Sequence, residues 1–196
     1  MRDSNLQQIL DLSQRVIAAS GQARAVAAAM KVFGRLAAKE GARGAEAAER
    51  LPVCQHTVEA ALADLAARPS PLPELATAFG AAEGGLRWNR RKTARSTDEP
   101  FYSSHANAML IGPGGLEERA DLEVGVTVMP AHTVYPDHHH PPEEVYIALS
   151  AGEWWNAAMD WTEPGPGGII YNPPGILHAM RSGDGPLLAL WFLPVD

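Results

Sequence analysis

The chain has 196 residues, of which 46% are hydrophobic and 20% are charged, a composition that suits a globular domain with an appended segment. No apolar run approaches the ~18 residues of a membrane span. The first residues lack the apolar core of an export signal, and the single cysteine, Cys54, excludes an internal disulfide. We therefore expect a cytoplasmic protein in which Cys54 is a small core residue rather than a nucleophile.

Charge is unevenly divided along the chain. Residues 1–100 carry 14 Lys and Arg against 11 Asp and Glu, whereas residues 101–196 carry only Arg119 and Arg181 against 12 acids. Because an acidic surface repels phosphate groups, the second half argues against nucleic-acid binding. The basic run at residues 87–95 is short, and we interpret residues 80–100 as a solvated linker.

The first hundred residues show apolar side chains at helical spacing. Four helices are expected, around residues 6–17, 26–37, 55–67 and 71–79. Asp3 and Ser4 are candidate N-caps of the first helix, and Gly41 is a natural stop for the second. These helices offer no obvious catalytic group, so we interpret them as a cap or as the dimerisation element of a possible homodimer.

From residue 101 the pattern becomes strand-like, with Gly and Pro between the apolar segments. Strands are expected near residues 107–112, 122–129, 143–149, 153–160, 168–171, 176–181 and 187–193. About seven short strands separated by turns indicate a β-barrel or jelly roll. The predicted organisation is a helical region with a linker at 1–100 and a mainly β barrel at 101–196, with the boundary between residues 80 and 105.

A run of three histidines followed by paired glutamates indicates a metal site. Strand side chains alternate between two faces, although the Pro141-Pro142 step can disturb the alternation. The residues that this parity places on one face are His138, His140, Glu144 and Tyr146. Two imidazoles and a carboxylate suit one divalent transition ion, such as zinc, iron, manganese or nickel, rather than the all-oxygen sites of calcium and magnesium.

Two segments of the second half resemble the paired motifs of the cupin family. His-x-His, three residues and Glu form the core of the first motif. The second is a glycine at Gly167, five residues, Pro-x-Gly, and two residues before His178. The resemblance implies a small β-barrel (a double-stranded β-helix or jelly roll) in which His178 is the fourth metal ligand. His132 and Ser182 replace a glycine and an asparagine of the general pattern, and neither is a ligand position.

The segment Tyr135-Pro136-x-His138-x-His140-x-x-x-Glu144-x-Tyr146, with His178 lying 34 residues after Glu144, is similar to the cupin-type dimethylsulfoniopropionate lyases of marine bacteria. Residues 171–180 resemble that family too, as does a helical part ahead of a barrel. The resemblance covers most of residues 100–196 closely and the first hundred only in outline. It implies metal ligands at His138, His140, Glu144 and His178, with Tyr146 and Tyr135 as active-site tyrosines.

The implied substrate is a small zwitterion with a carboxylate at one end and a dimethylsulfonium group at the other. Its β-elimination removes a proton beside the carboxylate and releases dimethyl sulfide and acrylate. Tyr146, two residues after a ligand, is the candidate base, and a nearby cation would favour its phenolate. Aromatic faces suit the sulfonium, which has no N–H group to donate. Tyr135 is the first candidate there and Trp191 a further one, although Tyr135 could instead be a second base or a substrate-orienting hydroxyl.

Several alternatives remain open at this point. Tyr146 could be a core residue hydrogen-bonded to Glu144. The ligand set would also serve an iron(II) dioxygenase. In a small-molecule sensor, helices near 44–51 and 55–67 would form a DNA-binding helix-turn-helix, but the acidic Glu59 and Asp64 argue against a recognition face. Among the other histidines, His105 and His132 are expected to be structural and His139 exposed.

Overall fold

The computed structural model describes residues 1–45 and 47–195. The four helices are α1 (Ser4–Ala19), α2 (Ala23–Ala38), α3 (Thr57–Ala66) and α4 (Leu72–Glu83), with a short 3-10 turn at Pro52–Cys54. The Asp3 carboxylate accepts hydrogen bonds from the N–H groups of Asn5 and Leu6, which confirms it as the N-cap of α1. None of the described helices is long and apolar enough to cross a membrane.

The helix-turn-helix alternative fails on the structure. Residues 44–51, apart from Glu46, which lies outside the described residues, form no helix. Their backbone instead pairs with neighbouring segments: the N–H of Gly44 donates to the carbonyl of Leu116, and the N–H of Glu49 donates to the carbonyl of Leu86. The alanines there favour a helix, but pairing with segments distant in sequence overrides this local propensity.

The strands in chain order are β1 (Ala42–Arg43), β2 (Trp88–Asn89), β3 (Ala106–Ile111), β4 (Glu117–Glu118), β5 (Leu122–Met129), β6 (Val134–His138), β7 (Glu144–Ala148), β8 (Glu153–Asn156), β9 (Met159–Thr162), β10 (Ile169–Asn172), β11 (His178–Arg181) and β12 (Leu187–Pro194). The seven predicted strands are present, although a turn at residues 157–158 divides the one expected at 153–160. The sequence did not predict β6, whose five residues alternate poorly and include Pro136.

Two largely antiparallel sheets face each other, with one parallel pairing between β3 and β4. The larger sheet has the order β1-β4-β3-β5-β12-β7-β10, with β2 added beside β3, and the smaller has the order β6-β11-β8-β9. A cluster of buried side chains joins their inner faces, with Tyr146 and Leu187 from the large sheet and Tyr135, Trp154 and Met180 from the small one. The predicted, mainly β barrel behind an α-helical region is confirmed.

The central strands of the large sheet, β5, β12 and β7, are buried on both faces, because the helices cover its outer side. On β5 and β12 the outward residues, such as Val126 and Leu190, belong to the same hydrophobic cluster as the helical residues Leu6, Ile9 and Val32. The helices therefore form a layer of the fold, and one core continues across the predicted division at residue 100. Their proposed part in a homodimer stays a prediction.

The basic segment after α4 is partly built into the fold. Leu86 and Trp88 are buried, and β2 pairs with β3 in the large sheet. The indole N–H of Trp88 donates to a carboxylate oxygen of Glu83 at 2.9 Å. The interpretation of residues 80–100 as a solvated linker is therefore wrong for residues 86–89. The charged residues suggested an exposed segment, but burial of the apolar side chains fixes it against the sheet.

Cys54 lies fully buried at the end of the 3-10 turn, as expected for a core residue. Burial raises the pKa of its thiol to about 11, which disfavours the reactive thiolate. We expect the native protein at pH 8 to resist alkylation by iodoacetamide, whereas the urea-unfolded chain should take up one carbamidomethyl group, as measured by intact mass spectrometry. Rapid stoichiometric alkylation of the native protein would contradict this burial.

Candidate active site

Three of the predicted metal ligands converge between the two sheets. His140, Glu144 and His178 each offer a donor atom, and these atoms all lie within 4.8 Å of one another. One carboxylate oxygen, Oε2 of Glu144, lies 3.3 Å from Nε2 of His140 and 3.4 Å from Nε2 of His178. Glu144 begins β7, His178 begins β11, and His140 lies in the connection between β6 and β7.

His138, the fourth predicted ligand, lies beside this group. It is the last residue of β6 and stands opposite His178 in the β6–β11 register, with the two ring centroids 4.0 Å apart. Its ring nitrogens do not fall within the compact group formed by the other three among the described residues. Its role as a ligand stays a prediction, which the adjacent position supports.

All three histidine rings are held in the same way. In each, Nδ1 lies 2.9 Å from a backbone carbonyl oxygen two residues away in sequence. The pairs are His138 with Pro136, His140 with Pro142, and His178 with Ile176. Because a carbonyl can only accept, Nδ1 carries the proton and Nε2 is left with its lone pair. Metal-binding histidines are typically fixed in this manner.

The arrangement is suited to a cation. The lone pairs on Nε2 of His140 and of His178 face a carboxylate oxygen, and three acceptors that face one another repel unless a proton or a metal ion lies among them. The buried Nε2 of His178 has no hydrogen-bond partner among the described residues, which is rare for a buried polar atom. Two imidazoles and a carboxylate suit a divalent transition ion, so the residues present fit one.

Protonation states in the group agree with this interpretation. Burial, with a smaller contribution from His178, lowers the pKa of His138 to about 3, so its imidazole is neutral at pH 7. Burial alone would raise the pKa of Glu144, but the neighbouring rings of His140 and His178 hold it below its ordinary value. Burial opposes protonation of His140 as well, yet the Glu144 carboxylate raises its pKa. His138 is thus a neutral ring beside an ionised Glu144 carboxylate, and the raised pKa of His140 shows that this carboxylate favours a positive charge next to it.

A cavity of about 830 Å³ opens onto this group. Its lining includes every predicted site residue except His178, namely Tyr135, His138, His140, Glu144, Tyr146 and Trp191. The predicted alternation of side chains holds within β7, where Glu144 and Tyr146 both face the cavity. His138 and His140 reach the same cavity from outside β7, because Pro141 and Pro142 turn the chain between His140 and the start of β7. His139 is exposed at the cavity mouth, as predicted.

Glu143 faces away from the cavity, as the alternation predicts, and connects the start of β7 to the helical layer. Its carboxylate lies 2.5 Å from Nζ of Lys31 on α2 and accepts a hydrogen bond of 2.8 Å from the hydroxyl of Tyr171 on β10. The ligand Glu144 therefore follows a residue that is fixed from the opposite side of the sheet.

Tyr146 is buried at the floor of the cavity, two residues after Glu144. Burial, with a further contribution from the neighbouring Glu144 carboxylate, raises the pKa of Tyr146 well above its ordinary value. On its own the side chain is a neutral phenol at pH 7. A cation at the adjacent group would act in the opposite direction and favour the phenolate.

Tyr135 and Trp191 are connected along the cavity wall by two polar side chains. The indole N–H of Trp191 donates to the Thr127 hydroxyl at 3.1 Å, and that hydroxyl donates to Oδ1 of Asn107 at 2.6 Å. The amide of Asn107 in turn donates to the phenolic oxygen of Tyr135 at 3.3 Å. This chain sets the position of both aromatic residues. Gly125 makes room for the indole, since a Cβ at that residue would lie 2.2 Å from the Trp191 ring.

Asn107 and Thr127 were missed by the sequence reasoning, although a signal was available. Each is a polar residue inside an apolar strand, at an inward-facing position, and the two stand opposite each other in the β3–β5 register. A polar residue in a buried strand requires a partner, so the pattern pointed to a polar wall within the barrel.

Arg91 was missed as well, because the basic run was interpreted as a linker. Its guanidinium lies 5.7 Å from the centroid of the Tyr135 ring, and several of its neighbours also line the cavity mouth. The backbone N–H of Arg91 donates to Nε2 of buried His105 at 2.9 Å. His105 stacks on Phe101 with centroids 3.8 Å apart, so its predicted structural role is supported by the way it fixes this segment over Tyr135.

Comparisons with known proteins identify the family of this chain. The sequence profile of the dimethylsulfoniopropionate lyase family matches residues 24–189. The dimethylsulfoniopropionate lyase DddQ of Ruegeria pomeroyi is 37% identical over 116 residues, which is 58% of this chain and 57% of that protein. The matched part is thus a little over half the length of that curated relative. The crystal structure of DddQ from the same organism superposes with a TM-score of 0.73 at 26% identity, covering all of this chain and 93% of that one. The chain therefore belongs to the dimethylsulfoniopropionate lyase family.

Proposed function

We propose that this protein cleaves dimethylsulfoniopropionate to dimethyl sulfide and acrylate by base-catalysed β-elimination. The observation that carries the proposal is the presence, in one cavity of a family member, of the ligand group together with Tyr135 and Tyr146. His138, His140, Glu144 and His178 would hold one divalent transition ion. When bound, such an ion would polarise the substrate carboxylate and so make the adjacent C–H bond more acidic.

Tyr146 is the proposed base. As a phenolate, Tyr146 takes the proton from the carbon beside the carboxylate and becomes a neutral phenol, the electrons of that C–H bond form the new double bond, and the C–S electrons leave with sulfur. Tyr146 is suited to this role because it shares β7 and one face with Glu144, and because the buried floor of the cavity excludes bulk water from the phenol. Tyr135 is the alternative base.

The sulfonium end of the substrate requires a different contact. The ring of Tyr135 already has the Arg91 cation near its face, so a second cation on that side would be repelled. Trp191 has no such neighbour in the described cavity wall, and its indole is held by Thr127 and Gly125. We therefore assign the sulfonium to Trp191 and a substrate-orienting hydroxyl to Tyr135.

The reaction is tested with purified protein supplied with zinc, iron(II), manganese or nickel. We expect dimethyl sulfide in the headspace and acrylate in solution in equal amounts, with no requirement for dioxygen, nicotinamide or coenzyme A. Gas chromatography and liquid chromatography measure the two products, and parallel anaerobic assays test for an oxygenase. Formation of 3-hydroxypropionate, or strict dependence on dioxygen, would overturn the assignment.

A further inference from the structure

Two buried asparagines lie directly behind the candidate ligands. Asn172 and Asn156 are 1% and 3% exposed, although asparagine is disfavoured in strands and a buried amide is costly without partners. In the large sheet Asn172 stands opposite Glu144, and in the small sheet Asn156 stands opposite His178. Each asparagine is therefore the cross-strand neighbour of a candidate ligand.

The two amides form one hydrogen-bonded chain between the sheets. The backbone N–H of Ala158 donates to Oδ1 of Asn156 at 3.0 Å. Nδ2 of Asn156 donates to Oδ1 of Asn172, also at 3.0 Å. Nδ2 of Asn172 then donates to Oε2 of Glu144 at 3.3 Å. The direction is fixed at both ends, because a backbone N–H only donates and an ionised carboxylate only accepts.

We propose that Asn172, supported by Asn156, is a positioning residue that holds the Glu144 carboxylate ready to bind the metal. The inference rests on the metal centre of the proposed function. The amide bond engages Oε2, the oxygen that also faces His140 and His178. The terminal torsion of a glutamate is otherwise broad, so this bond restricts the rotation of the carboxylate. Asn156 prevents the Asn172 amide from turning its oxygen toward Glu144.

A purely structural role would give a different result. If the pair only joined the two sheets, its loss would lower the stability of the protein and leave metal affinity in the folded state unchanged. Ser150 provides a matched control: it is buried, lies just beyond the far end of β7, and bonds the backbone of Pro186 and Leu188. Ser150→Ala therefore removes buried hydrogen bonds away from the ligands.

The experiment compares metal binding in wild type, Asn172→Leu, Asn156→Asp and Ser150→Ala. Affinity for Zn²⁺ and Co²⁺ is measured by competition with a chromophoric chelator, together with the Co²⁺ absorption spectrum and thermal unfolding of the metal-free proteins. We expect Asn172→Leu to bind about 10- to 100-fold more weakly, the range for loss of an outer partner of a ligand. Asn156→Asp should also weaken binding and alter the spectrum, although residue 156 makes no bond to Glu144.

The outcomes separate the inference from the proposed function. Unchanged affinity in both asparagine variants, or an equal loss in Ser150→Ala, overturns the positioning role. Asn156→Asp decides the question if Asn172→Leu does not fold. A wild-type protein that binds no metal overturns the inference and the metal centre together. A wild-type protein that binds metal in an Asn172-dependent way, but does not release dimethyl sulfide, supports the inference and refutes only the reaction.

Discussion

His178→Ala is expected to abolish stoichiometric metal binding and, with it, turnover. The variant removes the buried Nε2 that has no hydrogen-bond partner among the described residues, and leaves the proposed site with three of its four ligands. The loss in affinity should exceed the ~100-fold that removal of an outer partner can cost. Elemental analysis after dialysis against a weak chelator, and titration of the metal-free protein, measure the effect.

A matched control is His132→Ala, because His132 is an exposed histidine on the loop before β6. Its removal should leave one metal ion per chain and unchanged turnover. His178→Gln keeps a polar side chain of similar size in the site. It tests whether the alanine variant loses metal only because truncation of the side chain leaves an empty space. Equal metal content and equal activity in His178→Ala and wild type would remove His178 from the centre.

Tyr146→Phe is expected to lower kcat by about a hundredfold to ten-thousandfold, the usual contribution of a general base. The substitution keeps the buried ring and its packing near Trp154 but deletes the hydroxyl that would receive the proton. Metal content and thermal stability should stay close to those of wild type. Steady-state kinetics with headspace detection, combined with elemental analysis, separate the loss of chemistry from loss of the metal.

Tyr135→Phe is the necessary comparison, since a tyrosine that only orients substrate should affect KM more than kcat. Tyr102→Phe serves as the neutral control, because Tyr102 does not line the cavity. Exchange of the substrate's α-hydrogens in deuterated water would follow the proton transfer itself. Near-normal turnover in Tyr146→Phe beside an inactive Tyr135→Phe that still binds substrate would move the base to Tyr135.

Much of the barrel could be predicted because its strands carry local signals. β5 was predicted with its observed bounds, since an apolar run between Asp121 and Pro130 has clear ends. The candidate ligands could be proposed from the resemblance of their spacing to a known motif, because a metal site requires particular residue types at set distances along the chain. β6 could not be predicted, as its pairing with β11 comes from the partner strand rather than from its own sequence.

The surroundings of the site depended on contacts distant in sequence. Nothing local shows that Arg91 reaches Tyr135, or that Asn156 and Asn172 meet between two sheets. Both features come from the folding of separate segments against each other. In the same way, burial of Trp88 could not be seen from the charges around it, since it depends on the pairing of β2 with β3.

The strand β12 has a consequence for how this enzyme family could diversify. Phe192 contacts Phe33 of α2, with ring centroids 5.5 Å apart, while its neighbour Trp191 faces the cavity. The residue that packs against the helices and the residue that lines the cavity are thus adjacent in the same strand. Although every candidate ligand lies in the second half of the chain, that half is not a detachable module: evolution or engineering that exchanged the helices would also reshape the cavity.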